Sequence, residues 1–214
     1  MKKTCPNCRL VNRPDASSCI RCDAELSANL MRGRRKSGFF VRTAVLLLVC
    51  ISVLLGFYLS LIASAKSLTV DQKNTVRDAI AALKERGFSD EAMLLENLTV
   101  FRREDNWLNA SVAKENAYAA TNFPFEIITL YPDFFTYPVD DTERAAILLH
   151  ETRHLLGKDE KDAYEFVWKN RKKLGWTKDK YSDSPVWANI RKQTRDNAPN
   201  LFICEFNPFG DCTD

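Results

Sequence analysis

From Thr43 to Ala65 the chain carries no charged residue, a stretch of about 23 positions reading TAVLLLVCISVLLGFYLSLIASA. Nothing else in the sequence restricts the fold as strongly. A run of this length is enough to cross a hydrocarbon core of about 30 Å with some tilt. Gly56 and the serines are tolerated in such a helix, and a buried core helix seldom stays uncharged for so long. The run is therefore expected to be a transmembrane helix with lipid as its partner. The ASA triplet at 63–65 has the small-x-small form of a signal-peptide cleavage site. Cleavage there would need an n-region of about 40 residues and would discard a metal-binding module, so an uncleaved anchor is preferred.

Charge is divided by the span. Residues 1–43 hold 10 basic and 3 acidic residues, leaving 21 basic and 25 acidic ones for the rest of the chain's 31 and 28. Arg32, Arg34, Arg35, Lys36 and Arg42 precede the span closely, whereas only Lys66 follows it closely. The positive-inside bias puts the N-terminus in the cytoplasm and the C-terminal body outside it, as a single-pass protein of a bacterial cell membrane. The basic cluster is also suited to anionic headgroups. Apolar content of 45% and charged content of 28% fit a folded body rather than a disordered one.

The 7 cysteines follow the same division. CPNCRLVNRPDASSCIRC places Cys5, Cys8, Cys19 and Cys22 as two C-x-x-C pairs, a four-thiolate set suited to one tetrahedral structural zinc ion. Metal would replace a core too small to fold alone. A reducing cytoplasm argues against disulfides there. Cys50 lies inside the span as a small apolar residue. Cys204 and Cys212, on the outer side, are expected to pair as a disulfide that staples the tail. No aromatic residue occurs before Phe39, so base stacking, and with it nucleic-acid binding, is not expected of the N-terminal module.

The only 2 histidines of the chain are His150 and His154, in HETRH. Positions four apart project from one helical face. Two imidazoles so placed can grip one metal ion, and Glu151 can reach a water bound to it. Around this motif the outer body reads as mainly helical. Residues 69–86 place Val70, Val76, Ile80 and Leu83 on one stripe, stopped by Gly87. Residues 89–98 read as a short helix with Ser89 as N-cap, and NLTVFRRE either extends it or forms a strand. FEIITLYP is a strand, DFFTYPVD a loop, and NWLNASVAKENAYAATN is ambiguous. Asp140 or Asp141 caps the histidine helix, which runs to about Leu156 with Ile147, Leu148, Leu155 and Leu156 facing the core. Gly157 stops it. Another helix then starts at Lys158 or Asp159, with Phe166 and Trp168 as anchors and Gly175 as its stop.

The strand, loop, metal helix and following helix of residues 115–175 resemble the zincin metallopeptidases, most specifically in ILLHETRHLLG. The resemblance implies that His150 and His154 are ligands of a catalytic zinc ion and that Glu151 is the general base. It also implies that the preceding strand, residues 125–131, pairs with an extended substrate. HETRHLLGKDE has the spacing H-E-x-x-H-x-x-G-x-x-E, with Glu160 where metzincins carry His or Asp. The methionines, Met1, Met31 and Met93, all lie upstream of the motif, whereas metzincins need one downstream. Glutamate as third ligand, with Ala three residues later, resembles gluzincins, which implies Glu160 as the third metal ligand. Glu165 and Asp159 stay open as rivals. The N-terminal module resembles the zinc-ribbon family, with Arg9 and Asp23 where that family usually has glycine.

The expected fold class is thus α+β. Residues 1–26 form a zinc ribbon, 27–42 a basic linker, 43–65 the transmembrane helix, and 66–214 a mainly helical zincin-like domain with a small β-sheet. Tyr164, Tyr181 and Arg195 are candidates to stabilise an oxyanion. The expected function is that of a membrane-anchored, zinc-dependent peptidase acting on a peptide or protein outside the cytoplasm. The alternative is a non-catalytic binding or signalling protein whose ribbon meets a cytoplasmic protein partner. Retention of Glu151 favours the enzyme, because a purely structural metal site has no use for a base.

Overall fold

A computed structural model describes residues 2–26, 38–111 and 118–203. Most of the basic linker, together with Cys204 and Cys212 and their expected disulfide, lies outside the described residues. Two compact units, Met1–Ile51 and Ser52–Asp214, divide within helix α1 (Phe39–Ser64).

In the first unit, strands β1 (Lys3–Thr4) and β2 (Val11–Asn12) pair antiparallel. Cys5, Cys19 and Leu26 are its buried apolar residues among those described, too few to hold a fold by themselves. Two matching turns carry the cysteine pairs. Arg9 N donates to Cys5 O, and Asp23 N donates to Cys19 O, each at 2.9 Å. Both turn residues are left-handed, with φ of 59° at Arg9 and 54° at Asp23. Residues that carry side chains thus take the left-handed turns at the two positions where the zinc-ribbon family usually has glycine.

Helix α1 is long and apolar enough to cross a membrane. Its large side chains, Leu48 and Ile51 among them, are exposed over most of its length. Its last two turns differ. Leu61 is fully buried, and Phe57 packs edge-on against Trp107, with ring centroids 5.2 Å apart. The second unit therefore begins within the apolar run, before residue 66.

In the second unit, helix α2 (Val70–Glu85) opens with a capping box in which Thr69 and Gln72 satisfy each other's backbone N–H. Val76, Ala79, Ile80 and Leu83 are its buried stripe. Val70 was expected on that stripe but is 73% exposed, because the first helical residue turns away from the core. Helix α3 (Ser89–Asn97) follows, with Phe88 rather than Ser89 at its N-cap. Strand β3 (Val100–Arg102) resolves the reading of NLTVFRRE in favour of a strand.

A three-stranded sheet has the order β3, β5, β4, with β5 (Ile127–Leu130) parallel to β3 and antiparallel to β4 (Ala119–Asn122). All four residues of β5 are buried. This overturns its expected role as the substrate-pairing strand, because its backbone is already paired on both sides. Among the described residues, the strand with a free outer edge next to the histidine helix is β4. DFFTYPVD is not wholly loop, since Pro132–Thr136 forms a single helical turn, α4, with proline at its first position.

Helix α5 (Asp141–Leu155) crosses the core behind this sheet and is capped by Asp140, which accepts from Thr142 N and Glu143 N. Leu156, expected in the core, is instead 53% exposed at the helix end. Helices α6 (Glu160–Leu174), α7 (Lys178–Tyr181) and α8 (Pro185–Asn197) complete the body. Trp168, Trp176 and Trp187 stack around one another in the core with Phe202. Phe166 is only partly buried, under the guanidinium of Arg153.

Candidate metal centre

Helix α5 ends in a turn that builds the site. Gly157 takes φ of 72°, Gly157 N donates to His154 O at 2.9 Å, and Lys158 N donates to Arg153 O at 2.9 Å. This pair of bonds is the Schellman arrangement, which needs a residue tolerant of the left-handed region at its turn. The reversal returns the Lys158 carbonyl to His154, 2.9 Å from Nδ1. With the proton on Nδ1, the lone pair of Nε2 is free to face a metal. The same turn starts α6 so that Glu160, in its first turn, faces back toward α5. Arg153 secures the angle between the helices, with Nε and an outer guanidinium nitrogen both 2.9 Å from Asp162 Oδ1.

Three donors converge. His150 Nε2 lies 3.0 Å from His154 Nε2, Glu160 Oε2 lies 3.3 Å from His150 Nε2, and Glu160 Oε1 lies 3.4 Å from His154 Nε2. A tetrahedral site with metal–ligand bonds of about 2.05 Å has edges of about 3.3 Å, so the trio fits one small ion. The rivals for third ligand are occupied elsewhere. Asp159 accepts from Asp162 N as the cap of α6, and Glu165 pairs with Lys169 on the next turn.

Without a metal, protons mark the same convergence. Burial alone would lower the pKa of His154, but the Glu160 and Glu151 carboxylates and the Lys158 carbonyl outweigh it and push it up to about 9. The two imidazoles hold Glu160 well below the usual carboxylate range.

Glu151 stands beside this trio, nearly buried, and accepts a hydrogen bond of 2.6 Å from Thr121 Oγ1 on the edge strand. A cavity of about 680 Å³ opens over the group, bordered by β4, by Phe123 and Tyr164, and by Asn189, Gln193 and Asn197 of α8. The Tyr164 ring packs 4.3 Å from that of His150. Burial, and then the charges of Glu160 and Glu151, raise its pKa, so its hydroxyl remains a donor. Tyr181 and Arg195 are elsewhere: Tyr181 donates to the cap Asp140, and Arg195 lies over the Phe202 ring.

Two features of the cleft were not anticipated. Thr121 lies in a segment with no readable periodicity. The amides 189, 193 and 197 do recur every four residues, the spacing of one helical face, and could have been read as a polar stripe.

The second metal-ready group is in the N-terminal unit. The Sγ atoms of Cys5, Cys8, Cys19 and Cys22 all lie within 4.8 Å of one another. The pairs Cys5–Cys22 and Cys8–Cys19 are 3.5 Å apart, near the edge of about 3.8 Å that zinc–sulfur bonds of about 2.3 Å require. Asn12 reaches the Cys19 sulfur with its amide, at 3.6 Å. Both groups can hold a metal ion. No protein-family model, curated protein or solved structure matches this chain, so its chemistry is read from these residues alone.

Proposed function

We propose that the protein is a membrane-anchored zinc peptidase of zincin type, with its body outside the cytoplasm and its four-cysteine ribbon inside. The observation that carries this reading is the convergence of His150, His154 and Glu160 at tetrahedral spacing, with a carboxylate that is not a ligand, Glu151, held beside them in an open cleft. Zinc bound by the trio would supply a Lewis acid that polarises a peptide carbonyl and acidifies water. Glu151 takes the proton of the attacking water and returns it to the leaving amine. Thr121 fixes the orientation of that carboxylate, and the Tyr164 hydroxyl donates toward the oxygen on which charge develops. An extended substrate adds to the outer edge of β4, which supplies main-chain hydrogen bonds.

The membrane placement is supported by the apolar helix, and its orientation by the arginines that precede it. A zinc ion held by the four cysteines would be structural, because four thiolates leave no open position.

The test is metal content and hydrolysis of a broad peptide library by the full chain in detergent. Glu151→Gln should keep zinc and lose hydrolysis by about a hundredfold to ten-thousandfold. His150→Ala should lose the metal. A zinc-loaded wild-type protein that cleaves nothing would overturn the reading and leave a non-catalytic binding protein.

A further inference from the structure

The cleft is tied to the membrane-spanning helix by one short turn. Phe123 and Phe125 sit on either side of Pro124 in the connection from β4 to β5. Phe123 lines the cleft, its ring so close to Gly157 that a side chain there would come within 3.3 Å of it. Phe125 packs on α1, with its ring centroid 5.1 Å from Phe57 and 6.4 Å from Tyr58. Trp107 adds a second tie, its Nε1 donating to Ser60 Oγ at 3.2 Å. The Phe123 and Trp107 side chains remain 59% and 48% exposed.

Helix length puts these contacts at the membrane surface. The uncharged run from Thr43 to Ala65 rises about 34 Å, slightly more than the hydrocarbon thickness of about 30 Å, so its last two turns approach and cross the outer boundary. Phe57 and the residues after it therefore approach the lipid–water boundary, and there Phe57, Tyr58 and Leu61 turn onto the body while Leu59 stays exposed. Tyrosine and tryptophan, represented here by Tyr58 and Trp107, are the residues enriched at that boundary. Just beyond it the chain becomes charged, with Lys66 paired to Glu104.

The distance from this boundary to the reacting centre is short. Thr121, which holds Glu151, precedes Phe125 by four residues, at most about 14 Å of extended chain.

We propose that the substrate is the juxtamembrane stretch of a membrane-anchored polypeptide, taken in extended form along β4 as it leaves the bilayer. The proposal rests on the peptidase reading. A substrate strand advances about 3.3 Å per residue, so the cut falls within about ten residues of the substrate's own span. Phe123, exposed on the cleft rim at this level, receives an apolar side chain of that stretch.

The experiment places the full chain in phospholipid vesicles with single-span reporters. Each carries the same randomised cassette at about 5, 15 or 40 residues from its span, and the cassette is also supplied as a free peptide. Cut positions are mapped by mass spectrometry. The expected result is cutting near the span, about a hundredfold faster than of the distant or free cassette, because confinement raises the effective concentration at the cleft. Equal cutting at all distances would overturn the juxtamembrane proposal and leave the peptidase reading standing. No cutting of any probe by zinc-loaded protein would overturn both. Replacing Trp107 and Phe125 together by alanine should spread the cuts outward while the free cassette is still hydrolysed. A distance rule unchanged in that variant would overturn the role given to these aromatic contacts.

Discussion

Thr121 Oγ1 stands 2.6 Å from Glu151 Oε2, so the edge strand that borders the cleft also holds the carboxylate proposed as the base. A hydrogen bond to a charged group is worth about 1.5–3 kcal/mol when its partner is removed. Thr121→Val keeps the branched shape and deletes only the donor. The expected outcome is a fall in kcat of about tenfold or more with KM and zinc content little changed. A variant that loses metal as well would mean that Thr121 supports the fold of the site rather than the orientation of Glu151.

Zinc content should separate Glu160 from Glu165. Glu160 points at both imidazoles, while Glu165 is engaged by Lys169. Glu160→Gln replaces an anionic donor by a weaker neutral one, and its metal affinity should fall by at least about tenfold. Glu165→Gln should leave metal content unchanged. Metal lost only from the Glu165 variant would contradict the arrangement of three donors described above.

Why Glu160 was legible and Thr121 was not is a matter of where each constraint originates. His150, His154, Gly157 and Glu160 are linked by local rules: helical periodicity, a left-handed stop and a capped restart. Sequence spacing therefore carries their geometry. The same local rules narrow the cap of α5 to Asp140 or Asp141 and the start of α6 to Lys158 or Asp159; Asp140 is the cap, and α6 starts one residue later, at Glu160, with Asp159 as its cap. Strand β4 has no such signature. Its four residues are extended because β5 pairs with them, a tertiary effect that periodicity cannot report. The same holds for β5, which reads correctly as a strand, but whose central position depends on partners 27 residues away in β3. Trp168 was visible as an anchor from its helix stripe. Trp176 and Trp187, outside that stripe, join it only through packing of α6 against α8.

The N-terminal unit offers a test of backbone strain. Arg9 and Asp23 hold positive φ values of 59° and 54°, which cost a side-chain-bearing residue about 1–2 kcal/mol. Glycine removes the clash but loses more entropy on folding, about 0.5–1 kcal/mol. The net gain expected for Arg9→Gly or Asp23→Gly is about 0.5–1 kcal/mol. A module of this size folds as it binds metal. The gain should therefore appear as roughly two- to fivefold tighter zinc binding in competition with a chelator. Weaker binding in both variants would show that the two side chains contribute something the turns need.

Acid should uncouple α5 from the rest of the body at Asp140. Burial alone would raise the pKa of this carboxylate. Lys180 Nζ at 2.9 Å, Tyr181 OH at 2.8 Å and the Glu143 backbone N–H outweigh that effect and hold it below its ordinary value. A group whose folded pKa is depressed stabilises the fold above its unfolded pKa, about 3.9 for aspartate, and loses that contribution as pH falls through the folded value. Asp140→Asn retains a side chain able to cap the helix but carries no charge. The variant should be less stable than wild type at pH 7, and the gap should close as both are taken to about pH 3 and below. Asp140→Ala loses the cap as well, about 1 kcal/mol that persists at every pH. Thermal unfolding of the three proteins across pH 2.5–7, read by circular dichroism, measures both parts. A wild-type to Asn gap that stays constant through the acid range would show that charge at Asp140 does not hold the start of the histidine helix.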